Sequence, residues 1–135
     1  MKINGETKLI GFFGSTFKAS KMYTMYNAVF EKLSLNFVYV PFMVEEIKSG
    51  VEAIRSLGIH AVGVTIPFKI NIIEHLDGLD EDAKRIGAVN VVLNKDGKLI
   101  GGNTDGKGGV KALKEKTENK CNKIIILGSG GAARA

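Results

Sequence analysis

Apolar positions follow two different periods along this chain, and the switching between them outlines the fold. Residues 8–13 (KLIGFF) form a short apolar run closed by Gly14 and Ser15, the pattern of a strand ending in a turn. Met22, Met25, Tyr26, Val29, Phe30 and Leu33 then recur every three or four residues, which predicts a helix from about 21 to 33. Residues 37–42 (FVYVPF) are aromatic and β-branched and predict a second strand, which Pro41 places near a sheet edge. Ile47, Val51, Ile54 and Leu57 mark a second helix stopped by Gly58. Residues 61–66 (AVGVTI) predict a third strand ended by Pro67. The order βαβαβ implies a parallel sheet covered by helices, because parallel strands need crossover connections.

Beyond this point the elements shorten. Helical stretches are expected near 71–75 and 81–86, and strands at 89–94 and 98–102 flank Asp96–Gly97, a strong hairpin signal. Residues 106–116 predict a helix, 117–122 a polar loop, and 123–127 (KIIIL) a buried parallel strand. The expected class is α/β: a mostly parallel sheet with one antiparallel hairpin and helices on both faces, then the first strand of a second, truncated unit. The boundary falls at about residue 105, with 106–135 as a connecting helix and the start of that unit.

Composition narrows the class. With 135 residues, 44% of them hydrophobic and 24% charged, the chain can bury one ordinary core. No apolar run approaches the roughly 18 residues of a membrane span, and the polar residues 1–8 lead into no signal-peptide region, so a cytoplasmic location is expected. Cys121 is the single cysteine; it has no internal disulfide partner and reads as a partly buried small residue before a strand. The net charge of +5 is scattered, with a mild concentration over 111–123 that reads as a solvated face. It suits anionic small molecules better than nucleic acid, which needs a clustered patch.

Four segments can carry chemistry. Lys69, in VTIPFK, lies just past a parallel strand's C-terminal end, where open α/β sheets bind ligands. Burial disfavours an ammonium's charged form, which suits a lysine there to proton transfer. Asp105, in GNTDG, precedes a glycine and a helical pattern; an N-cap is its structural reading, and a capping carboxylate can still face a cleft. Asn90, in GAVN, offers both donors and acceptors to a polyol or carboxylate, or serves as a turn residue. Ser20 stands at the first helix's start, again an N-cap position. His60 and His75 show no metal-ligand spacing, and no metal is expected. After KIIIL, Gly128-Ser129-Gly130-Gly131-Ala132-Ala133 reads G-x-G-x-x-A, the opening of a Rossmann unit. Gly128 permits the turn, Gly130 lets backbone approach a pyrophosphate, and Ala133 lets the next helix pack closely. The acidic or basic residue that chooses NAD or NADP would lie farther on.

Taken together these segments resemble the shikimate dehydrogenase family, over nearly the whole chain and in order. VTIPFK resembles the family's VT-[IMV]-P-[HYF]-K; GAVN followed by GGNTDGKG resembles GA-[VI]-N…G-x-NTD-x-x-G; GSGGAARA resembles GAGGAxxA. The resemblance implies NADP-dependent interconversion of 3-dehydroshikimate and shikimate, on the route to chorismate and aromatic amino acids, with NAD as the alternative cofactor. It makes Lys69 and Asp105 the catalytic pair, with Thr65 and Asn90 on the ring hydroxyls and Ser20 on the carboxylate. Gly128, Gly130, Gly131 and Ala132 would bind the cofactor.

Two departures fall on the substrate side. Where the family reads H-S-x-S-P-x-x-H-N, this chain has Ala19-Ser20-Lys21-Met22-Tyr23-Thr24-Met25-Tyr26-Asn27, so Met22 replaces the second serine. That removes a hydrogen bond worth about 1.5–3 kcal/mol to a charged acceptor, with Lys21 or Tyr23 as candidate replacements. Gly63 stands where the family often carries Asn or Ser. These changes keep quinate or aminoshikimate dehydrogenase, or a non-catalytic hydroxy-acid-binding module, as alternatives. A nucleotide unit that stops after its first strand would leave the isolated chain without turnover. An exposed KIIIL edge could pair with another copy, which leaves a homodimer open.

Overall fold

The apolar runs pair as their order predicts. The computed structural model describes residues 2–15, 20–117 and 123–135. Its strands are β1 (Lys8–Gly14), β2 (Phe37–Met43), β3 (Ala61–Val64), β4 (Gly78–Leu79), β5 (Val91–Lys95) and β6 (Lys98–Gly102). Its helices are α1 (Met22–Lys32), α2 (Ile47–Ser56), α3 (Glu81–Ile86), α4 (Asp105–Lys116) and α5 (Gly131–Arg134), with a 3-10 helix over Asn71–His75. The strands form one sheet in the order β2-β1-β3-β5-β6-β4. β1 runs parallel to β2 and β3, and β4 parallel to β6, whereas β5 is antiparallel to both β3 and β6. β2 is an edge strand, as its proline requires. Asp96 and Gly97 turn the β5–β6 hairpin with positive φ at both positions (53° and 89°), the primed-turn geometry that matches strand twist.

Alternation along β1 sends its side chains to two layers. Phe13 and Leu9 face the larger core, with Ile54, Val62, Ile72, Val92 and Leu99 fully buried beneath α2 and the 3-10 helix. Each such side chain contributes about 1.5–3 kcal/mol by leaving water. Phe12 and Ile10 face a smaller cluster with Phe30 and Tyr39 beneath α1. Asn27 fixes α1 to the sheet edge: its amide donates to the Tyr39 carbonyl (2.9 Å) and accepts from the Tyr39 N–H (2.8 Å). Helices therefore cover both faces, as expected. No helix among the described residues is long and apolar enough to cross a membrane.

Two expectations need correction. The apolar stripe of α1 is wider than its buried face: Met22, Tyr23 and Phe30 pack inward, while Met25, Val29 and Leu33 are exposed. Residues 123–127 form no strand, and Ile124, Ile125, Ile126 and Leu127 are exposed. Apolar, β-branched composition favours a strand only where a neighbouring strand supplies the ladder; none of the six strands pairs with this segment. Cys121 and residues 118–122 of the expected loop lie outside the described residues.

Candidate active site

Three segments far apart in sequence are tied at one end of the sheet by backbone bonds. The Val64 N–H donates to the Asn90 carbonyl (2.8 Å), the Val89 N–H to the Lys69 carbonyl (2.7 Å), and the Asn90 N–H to the Gly102 carbonyl (3.0 Å). Buried Phe68 anchors the turn after β3, its N–H donating to the Thr65 carbonyl (2.9 Å). Asn103, directly after β6, is 2% exposed. Its amide donates to the Ala88 carbonyl (2.9 Å) and its oxygen accepts the Asp105 N–H (2.9 Å). The second bond is an Asx turn; it directs the chain into α4 with Asp105 as first residue.

That arrangement brings the Lys69 ammonium against the Asp105 carboxylate, an ion pair through Nζ and Oδ2. The lysine side chain is 15% exposed and the aspartate 34%. The other carboxylate oxygen accepts from the Asn90 amide (2.8 Å), which also donates to the Thr104 hydroxyl (2.9 Å) and accepts the Thr104 N–H (3.0 Å). Both Asn90 amide hydrogens are thus committed within the chain, leaving one carbonyl lone pair open. The N-cap reading of Asp105 is corrected: Thr104 is the cap residue, and the carboxylate turns to Lys69 and Asn90 because a charged partner outweighs a neutral amide.

The pair lies on a cleft of about 550 Å³ whose lining also includes Ser20, Met22, Tyr26, Tyr39, Gly63 and Thr65. The Ser20 oxygen accepts the Met22 N–H (3.3 Å) while Lys21 is the residue capping α1, so Ser20 sits one position before the cap. The Thr65 N–H donates to the Phe13 carbonyl (3.0 Å). Neither Lys21 nor Tyr23 borders the cleft: Lys21 is exposed and Tyr23 packs in the smaller core. Tyr26, one turn onward, does. Burial pushes the Tyr39 phenol well above its ordinary value, with the Tyr26 phenol adding to the shift, so Tyr39 is a neutral group there. A larger hollow of about 640 Å³ along α3 and α4 holds neither Lys69 nor Asp105, and its Lys107 is paired with Asp82; the smaller cleft is therefore the candidate site. His60 lies against the Phe37 ring and His75 beside Glu74, away from that cleft.

The glycine-rich segment reaches the same place. Gly128 turns with φ 120°. A Cβ at Gly131 would come within 2.8 Å of the Lys69 Cβ and 3.4 Å of the Ala88 Cβ, so only glycine allows this approach. The Ala133 and Arg134 N–H groups donate to the Gly130 carbonyl, whereas those of Gly131 and Ala132 have no acceptor among the described residues. Two open amide donors and a side-chain-free Gly130, with nothing within 4 Å of its Cβ position, fit an anionic bridging group.

Asn103 and Tyr39 were not among the sequence candidates. The N-x-D spacing could have found the first. Nothing local to FVYVPF says where the second points.

Comparison with known proteins assigns the fold to a family. The family model described as the shikimate dehydrogenase substrate binding domain matches residues 12–92. A shikimate dehydrogenase (NADP(+)) of Pyrococcus furiosus is 45% identical over 134 residues, covering 98% of this chain and 49% of that protein. A crystal structure of shikimate dehydrogenase in complex with NADP+ superposes with TM-score 0.91 at 46% identity, over 98% of this chain and 47% of the other. Shikimate 5-dehydrogenase from Listeria monocytogenes, in complex with shikimate and NAD, gives TM-score 0.84 at 39% identity, over 99% and 47%. The chain spans about half the length of the curated relatives it matches. With the motif order, the six-stranded sheet and the family match in agreement, the chain belongs to the shikimate dehydrogenase substrate-binding-domain family.

Proposed function

We propose that this chain supplies the substrate-binding and catalytic half of an NADP-dependent shikimate dehydrogenase, which reduces 3-dehydroshikimate to shikimate on the route to chorismate. The observation that carries the reading is the Lys69–Asp105 pair, its carboxylate braced by Asn90, on the wall of the cleft. An alcohol that loses hydride must also lose a proton. Lys69 exchanges that proton with the reacting hydroxyl, and Asp105 accepts a hydrogen bond from the hydroxyl and holds the ammonium in place. Asn90 fixes the carboxylate's rotation and offers its remaining lone pair to a neighbouring ring hydroxyl. Thr65 takes another hydroxyl, and Ser20 the substrate carboxylate.

Gly128, Gly130, Gly131 and Ala132 would hold the dinucleotide's pyrophosphate. When bound, the cofactor supplies or accepts the hydride. NADP is favoured by the similarity to NADP(+) shikimate dehydrogenases, with NAD as the alternative. Residues 1–105 act as the substrate domain and 106–135 as the connection to a nucleotide domain; the reading is supported by α4 having no buried residue. A cytoplasmic location and self-association go with it, the exposed 124–127 stretch being the apolar surface a second copy would cover. Met22 and Gly63 on the cleft wall favour quinate or aminoshikimate as the second reading.

Calorimetric titration with shikimate tests the proposal. Saturable binding to wild type, weakened about tenfold or more by Lys69→Ala and by Asp105→Asn, is the expected result. Binding indifferent to both changes would leave a hydroxy-acid-binding module without this catalytic pair.

A further inference from the structure

Tyr39 is 5% exposed, yet its hydroxyl has no hydrogen-bond partner among the described residues. No described side-chain oxygen or nitrogen is both sealed from solvent and unpartnered, so this hydroxyl opens onto the cleft that Tyr39 lines. Its position is firmly set. Asn27 clamps the Tyr39 backbone from both sides. The ring stacks on Tyr26, with centroids 4.7 Å apart and planes at 11°, and tilts against Phe12 at 6.0 Å. The side chain reaches from β2 across β1 to β3, where a Cβ built on Gly63 would lie 2.6 Å from the Tyr39 oxygen. A side chain at 63 and the Tyr39 hydroxyl in this place exclude each other.

A phenol rigidly held, with its hydroxyl open to the cleft and no partner among the described residues, is free to donate to whatever occupies the cleft. Gly63 and Thr65 project from the same face of the β3 line, since alternate residues share a face. The hydroxyl therefore lies on the side of the cleft that leads to Thr65 and the Lys69–Asp105 pair. We propose that Tyr39 is a specificity-determining residue of this cleft, donating a hydrogen bond to a ring hydroxyl of a polyhydroxylated cyclic acid from the space left free by Gly63. This rests on the hydroxy-acid reading given above. The donor stays protonated because burial opposes the phenolate.

Titration of wild type, Tyr39→Phe, Gly63→Ala, the double variant and Lys69→Ala with shikimate, and with its singly deoxygenated analogues, tests this. Tyr39→Phe keeps the ring and its stacking, and should weaken shikimate binding about five- to tenfold. One deoxygenated analogue should bind Tyr39→Phe and wild type equally. Gly63→Ala should weaken binding at least as much in the wild-type background, and less once the phenol oxygen is gone. If Tyr39→Phe binds shikimate like wild type while Lys69→Ala does not, the inference fails and the functional reading stands. If the loss persists with every deoxygenated analogue, the contact is not to a ring hydroxyl and the inference fails likewise. No saturable binding to wild type overturns both.

Discussion

Asn103→Ala should separate the scaffold of the site from its chemistry. The side chain is 2% exposed and makes two bonds, donating to the Ala88 carbonyl and accepting the Asp105 N–H, each at 2.9 Å. Ala88 is fully buried, so its carbonyl would lose its side-chain partner with no water to replace it; the Asp105 N–H, in the first turn of α4, is half-buried and partly rehydrates. A lost hydrogen bond costs about 1 kcal/mol net and a stranded buried acceptor about 1–3 kcal/mol, so the total is about 2–4 kcal/mol. At about 0.3 kcal/mol/K of unfolding entropy for a chain of this length, the midpoint falls by about 7–14 °C. Urea and thermal denaturation followed by circular dichroism measure both. Asn103→Asp keeps the acceptor for Asp105 but turns a negative oxygen on the Ala88 carbonyl, and should lose at least as much. A loss under about 0.5 kcal/mol for Asn103→Ala would refute the reasoning, because the two backbone groups would then find water as readily as the amide.

Two further outcomes follow from features outside the cleft. Asp77 has its carboxyl held below the ordinary aspartate value by the Leu99 N–H and then by Arg55, so its contribution is present above the unfolded value near 3.8 and is lost as pH falls through the depressed one; Asp77→Asn should narrow the stability gap to wild type in acid, and a gap unchanged between pH 6 and pH 2.5 would contradict this. Gly97→Ala places a side chain at φ 89° in the hairpin turn and should cost about 1–2 kcal/mol in urea denaturation; an unchanged midpoint would mean that the turn rearranges freely.

Local sequence signals carried much of this architecture. The βαβαβ start, the Asp96–Gly97 hairpin and the positions of Lys69, Asn90 and Asp105 follow from period, turn chemistry and motif order, each written within a dozen residues. What escaped depends on partners remote in sequence. Met25, Val29 and Leu33 continue the helical stripe of α1 but find no neighbouring layer. KIIIL has strand composition without a strand beside it. Tyr39 reads as one more aromatic in a strand, and its meaning comes only from Gly63, two strands away. Asp105 illustrates the same limit: spacing suggests a cap, and the presence of Lys69 across the fold decides otherwise.

The backbone bonds Val64–Asn90 and Val89–Lys69 join β3 and its outgoing turn to the segment that enters β5. Because Asn90 also holds Asp105, the hairpin cannot detach from β3 without separating the ion pair. Opening of this edge and loss of the site are therefore one event, and the amide protons of Val64 and Val89 should exchange with deuterium together, at the rate at which the site itself comes apart.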